Sequence, residues 1–274
     1  SRRIRACHQQ PLRMLPFASK ICAALPLSGF SHMHEFRTFV YLPVQKTGTT
    51  FISKMLDKFS KEEVVQHFSH QGMEADCDRG KFYFISVRDP LDAYISLYSY
   101  GNQSRGKMGR KFEKQGLGGL YDGTASGFNR WLSFVLKTEN ASMLNRHFAR
   151  VGSGSVAELI GLQSYRYLSL ALPGALELLS DCRSKDDIRT TYAQNKLPRY
   201  VIRHETFAAD LRALVRGPLS YAMKDVDDAV KFIEETPPIN ASRRIDKGQE
   251  IVVQESVHQE FVEREWFLHE EFGY

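Results

Sequence analysis

The residues best suited to chemistry lie in a short turn at positions 45–50, which reads Gln-Lys-Thr-Gly-Thr-Thr. Lys46 supplies a positive charge on a flexible stem, and Gly48 lets the backbone come close to a ligand. Thr47, Thr49 and Thr50 add hydroxyl groups that can donate hydrogen bonds. Because the turn holds donors and a cation but no carboxylate, it predicts a site for an anion.

Regular elements on both sides position this turn. Residues 39–44 are mostly apolar and β-prone, which is typical of a buried strand. In residues 51–59 the apolar side chains follow helical spacing. A helix that starts directly after the turn would direct its free N–H groups and the positive end of its dipole at bound oxygens.

A second polar set follows the strand predicted at residues 82–87. Arg88 comes at the end of this strand, and Asp89 and Pro90 suit the N-cap and first turn of a helix. Ser96 then lies two turns into that helix. A forked guanidinium together with a hydroxyl group is a good donor set for a phosphate.

Each set also has a structural interpretation. The first could be an ordinary strand–helix turn in which Thr47 or Thr49 is an N-cap. In the second, Arg88 could pair with Asp89 or Asp92. The turn also differs from a nucleotide P-loop, in which the lysine follows the second glycine. Here Lys46 precedes Gly48, the only glycine of the turn.

Taken together and in this order, the two sets resemble the phosphate-binding motifs of the sulfotransferase family. The resemblance implies that 3′-phosphoadenosine-5′-phosphosulfate (PAPS) is the sulfuryl donor. It implies that Lys46 contacts the oxygen bridging sulfur and phosphorus, and that the loop with its hydroxyl groups holds the 5′-phosphate. Arg88 and Ser96 would hold the 3′-phosphate, and no metal is required.

The resemblance extends over roughly residues 37–274 and implies further roles. A basic loop carrying Ser242, Arg243 and Arg244 would close over the 3′-phosphate. Glu205, at the end of a late strand, would be structural and would hold neighbouring loops by hydrogen bonds.

Sulfuryl transfer also requires a base for the acceptor proton. In the family this base is commonly a His or Glu between the two motifs, and here His70 is the first candidate and His67 the second. A histidine with a pKa near neutral suits this task. Glu63 and Glu74 are alternatives. The spacing of the two histidines also suits a metal site, but we favour the role of a base.

Strands alternate with helices along the chain, which predicts an α/β fold: a P-loop-like parallel sheet with helices on both faces, as in the sulfotransferases. We expect one domain over residues 35–274. Residues 1–34 contain no Asp or Glu but several Arg, and we interpret them as a basic arm, a stem or a transit-like segment.

Composition limits the partners. The chain has 274 residues with 37 basic and 32 acidic side chains, and the resulting charge of +5 is too modest to indicate a nucleic-acid-binding protein. No apolar run is long enough for a membrane-spanning helix. Residues 101–127 are polar, glycine-rich and basic, which predicts a long loop and favours an anionic or neutral glycan as acceptor. A small hydroxylated metabolite remains an alternative acceptor.

Two other functions share part of this pattern. A P-loop-like kinase or NTPase would need a magnesium-binding aspartate at the end of a later strand. A glycan- or anion-binding module would bind without transfer. A glycan acceptor favours the Golgi lumen as location, and a metabolite acceptor favours an organelle stroma or the cytoplasm.

Overall fold

In a computed structural model, the chain is described over residues 33–68, 72–103, 106–149, 156–237, 239 and 251–274. These residues belong to one compact unit, Ser31–Tyr274. The strands are β1 Met33–Glu35, β2 Phe39–Leu42, β3 Gln66–Phe68, β4 Phe82–Val87 and β5 Tyr200–Arg203.

Fourteen α-helices lie in the described part of the chain: α1 Thr49–Phe59, α2 Pro90–Asn102, α3 Lys107–Lys114, α4 Ala125–Leu136, α5 Ala141–Leu144, α6 Arg146–Ala149, α7 Val156–Leu159, α8 Leu162–Ala171, α9 Ala175–Ser180, α10 Lys185–Asn195, α11 Phe207–Arg216, α12 Val226–Glu235, α13 Glu255–Arg264 and α14 Trp266–Phe272.

The strands form a five-stranded sheet in the order β3-β1-β2-β4-β5. β2, β4 and β5 are parallel, but β1 is antiparallel to both β2 and β3. The prediction of a parallel sheet is therefore wrong at this edge. Only residues 36–38 join β1 to β2, and so short a connection permits an antiparallel pair but no crossover.

Side chains alternate between the two faces along each central strand. Val40 and Leu42 of β2 join a core cluster with residues of α2, α4 and α8. Phe39 and Tyr41 point to the opposite face, into a cluster with residues of α1, α11 and α12. Helices therefore cover both faces, as the sequence predicts.

Residues 101–127, for which the composition predicts a loop, contain the helix α3. Phe112 of α3 is fully buried, and its ring packs 5.4 Å from that of Phe134. A Cβ at Gly109 would lie 3.2 Å from the Cα of Gly101, so two glycines let α3 and α2 approach closely. The glycines that indicate a loop in the sequence thus serve helix packing.

Glu265, which separates α13 from α14, joins three parts of the molecule. It is fully buried, and its carboxylate accepts hydrogen bonds from the backbone N–H groups of Gln163 and Ser164 and from the Ser164 hydroxyl. The Tyr94 hydroxyl donates to the same carboxylate at 2.6 Å. Glu265 thus caps the start of α8 and fixes α2 against the C-terminal segment.

Cys77 and Cys182 are free thiols. Among the described residues no helix has the length and apolar character needed to cross a bilayer.

Candidate active site

Three polar segments meet at one edge of the sheet. Lys46 follows β2, Arg88 follows β4 and His204 follows β5, and these three strands are parallel neighbours. The carboxyl ends of adjacent parallel strands lie at the same edge, where open α/β sheets bind their ligands.

The turn after β2 is held in an unusual conformation. Lys46 has a φ of 72°, and it is the one non-glycine residue with positive φ in the described part of the chain. Gly48 has a φ of 84° and is the N-cap of α1. A Cβ at Gly48 would lie 2.5 Å from Cε2 of Phe207, so both the backbone angle and the space require glycine here.

A chain of buried hydroxyl groups supports this turn from below. The Thr47 hydroxyl donates to the carbonyl of Val44 at 2.7 Å and lies 2.6 Å from Ser86 Oγ. Ser86 Oγ in turn lies 2.8 Å from the Tyr41 hydroxyl. Burial raises the pKa of Tyr41, which keeps this hydroxyl protonated. The Thr47 side chain therefore faces inward and supports the loop, so only its backbone N–H can face a ligand.

The start of α1 has the features of an anion site. Its N-cap, Gly48, has no side chain to cover the first N–H groups, and its first turn contains no acidic residue. By contrast, α10 and α12 begin with side-chain caps and two acidic residues each. Thr49 is buried and Thr50 half-buried in the first turn of α1.

Arg88 connects the two motifs. Its Nη1 donates to the carbonyl of Lys46 at 3.4 Å, and its Nη2 pairs with Asp92 at 3.1 Å. The third donor, Nε, is buried without a hydrogen-bond partner among the described residues. A buried donor without a partner is costly, so this nitrogen favours an incoming acceptor atom.

Lys46 is surrounded by an aromatic ring and by other cations. Its Nζ lies 4.2 Å above the centroid of the Tyr100 ring. Burial, together with the positive charges of Arg88 and Arg166, lowers the pKa of Lys46 to about 8. An anion placed beside Lys46 would raise this pKa again and would hold the lysine in its charged form.

Glu205 has the role that the resemblance implies. Its carboxylate accepts from the backbone N–H of Asp89 at 2.8 Å and from the hydroxyl of Tyr274 at 3.1 Å. Asp89 caps α2 by accepting from the N–H of Asp92, as the sequence predicts. Glu205 thereby fixes the turn that carries Arg88 against the end of the chain.

The remaining predicted residues lie in α2, in β3 or outside the described part of the chain. Ser96 is buried in α2, two turns after Arg88. His67 lies in β3 and is paired with His34 of β1, which is in turn paired with Tyr41 of β2. His67 is therefore level with Tyr41 along the strands but two strands away from it. His70, Ser242, Arg243 and Arg244 lie outside the described residues.

Two residues near the site are not apparent from the motifs. Burial lowers the pKa of His204, and the charge of Arg88 adds to this effect, so this imidazole is neutral at physiological pH. Arg166 of α8 acts on Lys46 although it lies far from it in sequence. In the sequence, Arg166 could have been singled out as a lone arginine between Tyr165 and Tyr167, in a segment whose other side chains are mostly apolar.

Comparison with known proteins identifies a family for part of the chain. The model of the sulfotransferase family matches residues 32–163. This segment belongs to the sulfotransferase family. No curated protein and no solved structure matches the chain.

The sulfotransferase segment includes both anion motifs, with Lys46 at one and Arg88 at the other, and ends in the first turn of α8. Arg166, Glu205 and the basic loop at 242–244 follow it in sequence. Among the described residues, no group of three or more His, Cys, Asp or Glu could hold a metal ion.

The conformation of Gly48 leads to a first prediction. We expect Gly48→Ala to lower the free energy of unfolding by about 2 kcal/mol or more and to weaken anion binding, because alanine disfavours this φ and its methyl group collides with Phe207. Chemical denaturation measures the effect. Gly116→Ala is the matched control: Gly116 has a φ of 75° but nothing within 4 Å of its added Cβ. Equal losses in the two variants would contradict a role for the Phe207 contact.

Proposed function

We propose that the protein transfers a sulfuryl group from PAPS to a hydroxyl group (or an amine) of an acceptor. The observation that carries this proposal is the contact between Arg88 and the carbonyl of Lys46, because it joins the turns of the two motifs at one edge of the sheet. The uncapped start of α1 and the unpartnered Nε of Arg88 supply donors that fit a doubly phosphorylated nucleotide.

Different residues hold the 5′-phosphosulfate and the 3′-phosphate of the donor in this proposal. Lys46 and the backbone N–H groups of Gly48, Thr49 and Thr50 hold the 5′-phosphosulfate, with the N–H of Thr47 beside them. Arg88 and Ser96 hold the 3′-phosphate, and Ser242, Arg243 and Arg244 close over it.

The reaction is an in-line displacement at sulfur. The acceptor oxygen forms a bond to sulfur while the bond from sulfur to the 5′-phosphate oxygen breaks, and the electron pair remains on the phosphate. Lys46 and the amide end of α1 stabilise the charge that develops there. The acceptor proton passes to a histidine.

The direction of β3 favours His70 over His67 as this base. β3 runs the same way as β2, so its carboxyl end points to the edge that carries Lys46. His67 lies inside β3, whereas His70 follows the strand by two residues.

Replacement of Lys46 and of Arg88 by alanine tests the donor site. We expect Lys46→Ala to reduce turnover by about a hundredfold or more and Arg88→Ala to weaken 3′-phosphoadenosine 5′-phosphate (PAP) binding by at least about tenfold, because each removes a charge from one phosphate. Transfer of labelled sulfate and calorimetry measure these effects, with Arg216→Ala, at an exposed position of α11, as control. Stabilisation of the wild-type protein by ATP with magnesium but not by PAP would instead favour a kinase.

The base is tested separately. We expect His70→Ala to lower turnover by about a hundredfold while PAP affinity stays unchanged, since a general base contributes to the chemical step and not to nucleotide binding. His67→Ala is the matched variant and is expected to retain most of the turnover. A large loss of turnover in His67→Ala with normal turnover in His70→Ala would make His67 the general base instead of His70. Normal turnover in both variants would assign the general base to Glu63 or Glu74.

The face of α3 supports a glycan acceptor with negative charge. Its four basic residues recur at helical spacing on one side of the helix: Lys107, Arg110, Lys111 and Lys114. Met108 and Phe112 pack on the opposite side. Gly106, which precedes the helix, lies against the ring of Tyr100: a Cβ there would come within 2.9 Å of Tyr100 Cδ1. The basic face thus begins beside the ring that Lys46 contacts, and the enzyme would meet such a glycan in the Golgi lumen.

Charge reversal on α3 tests this acceptor. We expect Lys107→Glu, Arg110→Glu and Lys114→Glu together to raise the KM for a sulfated or carboxylated polysaccharide by about tenfold or more, with unchanged PAP affinity, because these side chains are exposed and their charges attract the anionic acceptor. The effect should shrink at high salt. Arg216→Glu with Lys231→Glu, on the other face of the sheet, is the matched control. Unchanged KM would contradict the glycan assignment and favour a small metabolite.

A further inference from the structure

Tyr100 is the side chain that meets the ammonium group of Lys46. Nζ of Lys46 lies above the face of the Tyr100 ring, 4.2 Å from its centroid. The ion pairs between described residues do not include Lys46, which is half-buried. The face of an aromatic ring carries partial negative charge, and its attraction for a cation grows as water is removed. The ring therefore favours the charged form of the lysine.

The backbone of Gly106 packs against the same ring. A Cβ at Gly106 would lie 2.9 Å from both Cδ1 and Cε1 of Tyr100, which is closer than a side chain tolerates. Gly106 also has a φ of 85°, a positive value that favours glycine. The position of the Tyr100 ring thus depends on the segment between α2 and α3 as well as on its own helix.

The two ends of Lys46 meet residues at the two ends of α2. Arg88, which precedes α2 by two residues, donates from Nη1 to the carbonyl of Lys46 at 3.4 Å. Tyr100 lies in the last turn of the same helix. Ser96 precedes Tyr100 by four residues, a spacing that places both on one face of α2. The lysine side chain therefore extends from the turn at Arg88 to the last turn of α2.

We propose that Tyr100 is a positioning residue for Lys46, whose ammonium group it holds in the cleft in the charged form that meets the bridging oxygen of the donor. This inference rests on the proposed function. Tyr100 contacts none of the reacting atoms in this role and acts through Lys46, so the effect of replacing it depends on the presence of the lysine.

Replacement of the ring tests this role. We expect Tyr100→Leu to lower turnover at neutral pH by about fivefold, because it removes a partly buried cation–π contact. Tyr100→Phe keeps the ring and should recover most of the turnover. Transfer of labelled sulfate measures the effect, with thermal unfolding as a check on folding. Tyr221→Leu is the control: Tyr221 is 51% exposed, and it accepts from Thr38, which precedes β2 at the edge of the sheet opposite Lys46.

A double-mutant cycle shows whether Tyr100 acts through Lys46. In the wild-type background, Tyr100→Leu should weaken PAP binding by about fivefold. In the Lys46→Ala background, the same substitution should change PAP affinity by less than about twofold, because the cation that the ring holds is already absent. Calorimetry measures all four proteins. Losses that multiply in the double variant would contradict the proposal.

The pH dependence gives a readout that a structural role would not move. Burial and the charges of Arg88 and Arg166 lower the pKa of Lys46 to about 8, and Asp92 is paired with Arg88. The affinity for PAP should therefore fall as the pH rises through about 8. Without the ring the charged form is less favoured, so in Tyr100→Leu the fall should begin at a lower pH. Tyr100→Phe should keep the wild-type profile.

Other results would overturn the proposal. Equal losses in Tyr100→Leu and Tyr100→Phe would assign the effect to the hydroxyl group, and a loss of PAP affinity that is the same at every pH would make Tyr100 a structural residue or a direct ligand. Normal turnover and a normal pH profile in Tyr100→Leu would remove the role altogether. Failure of the wild-type protein to bind PAP or PAPS would overturn the proposed function itself, which is distinguishable because that result does not involve Tyr100.

Discussion

Lys46 and Arg88 lie together where parallel strands end, and the carboxylates of Asp89 and Glu205 at the same edge accept hydrogen bonds from backbone N–H groups. The charges of Arg88 and Arg166 lower the pKa of Lys46, and Asp92 forms an ion pair with Arg88. The amide end of α1 adds a further positive potential. Charges of one sign repel in a partly buried cleft, so the structure is stable with them only because rigid elements hold each one in place. An anionic ligand relieves this repulsion.

The supporting elements are built from buried polar contacts. The hydroxyl groups of Tyr41, Ser86 and Thr47 fix the Lys46 turn from the sheet, and Phe207 closes it from α11. Glu205 fixes the Arg88 turn. Glu265 does the same for α8. Each cation therefore depends on a contact made by a residue distant in sequence, which is how the fold orients donors before a ligand arrives.

The sequence predicts the local parts of this arrangement well. The strand–turn–helix units around Lys46 and Arg88 follow from apolar spacing, from Gly48 and from the Asp89-Pro90 pair, and each is formed by neighbouring residues. What it does not predict depends on residues distant in sequence: the antiparallel β1, the packing of the helix α3, and the contact of Glu265 with the start of α8. Gly101 and Gly109 suggest a loop in the sequence, but in the structure they lie where α2 and α3 pack closely together. The meeting of α8 with the cleft depends on Glu265, about a hundred residues further along the chain.

A crystal structure of the protein with PAP tests the central claim most directly. The account predicts one nucleotide bridging the cleft, with its 5′-phosphate on the amide groups that begin α1 and beside Lys46, and its 3′-phosphate on the Nε of Arg88 and the hydroxyl of Ser96. A nucleotide bound elsewhere, or one whose two phosphates do not reach both motifs, would contradict it.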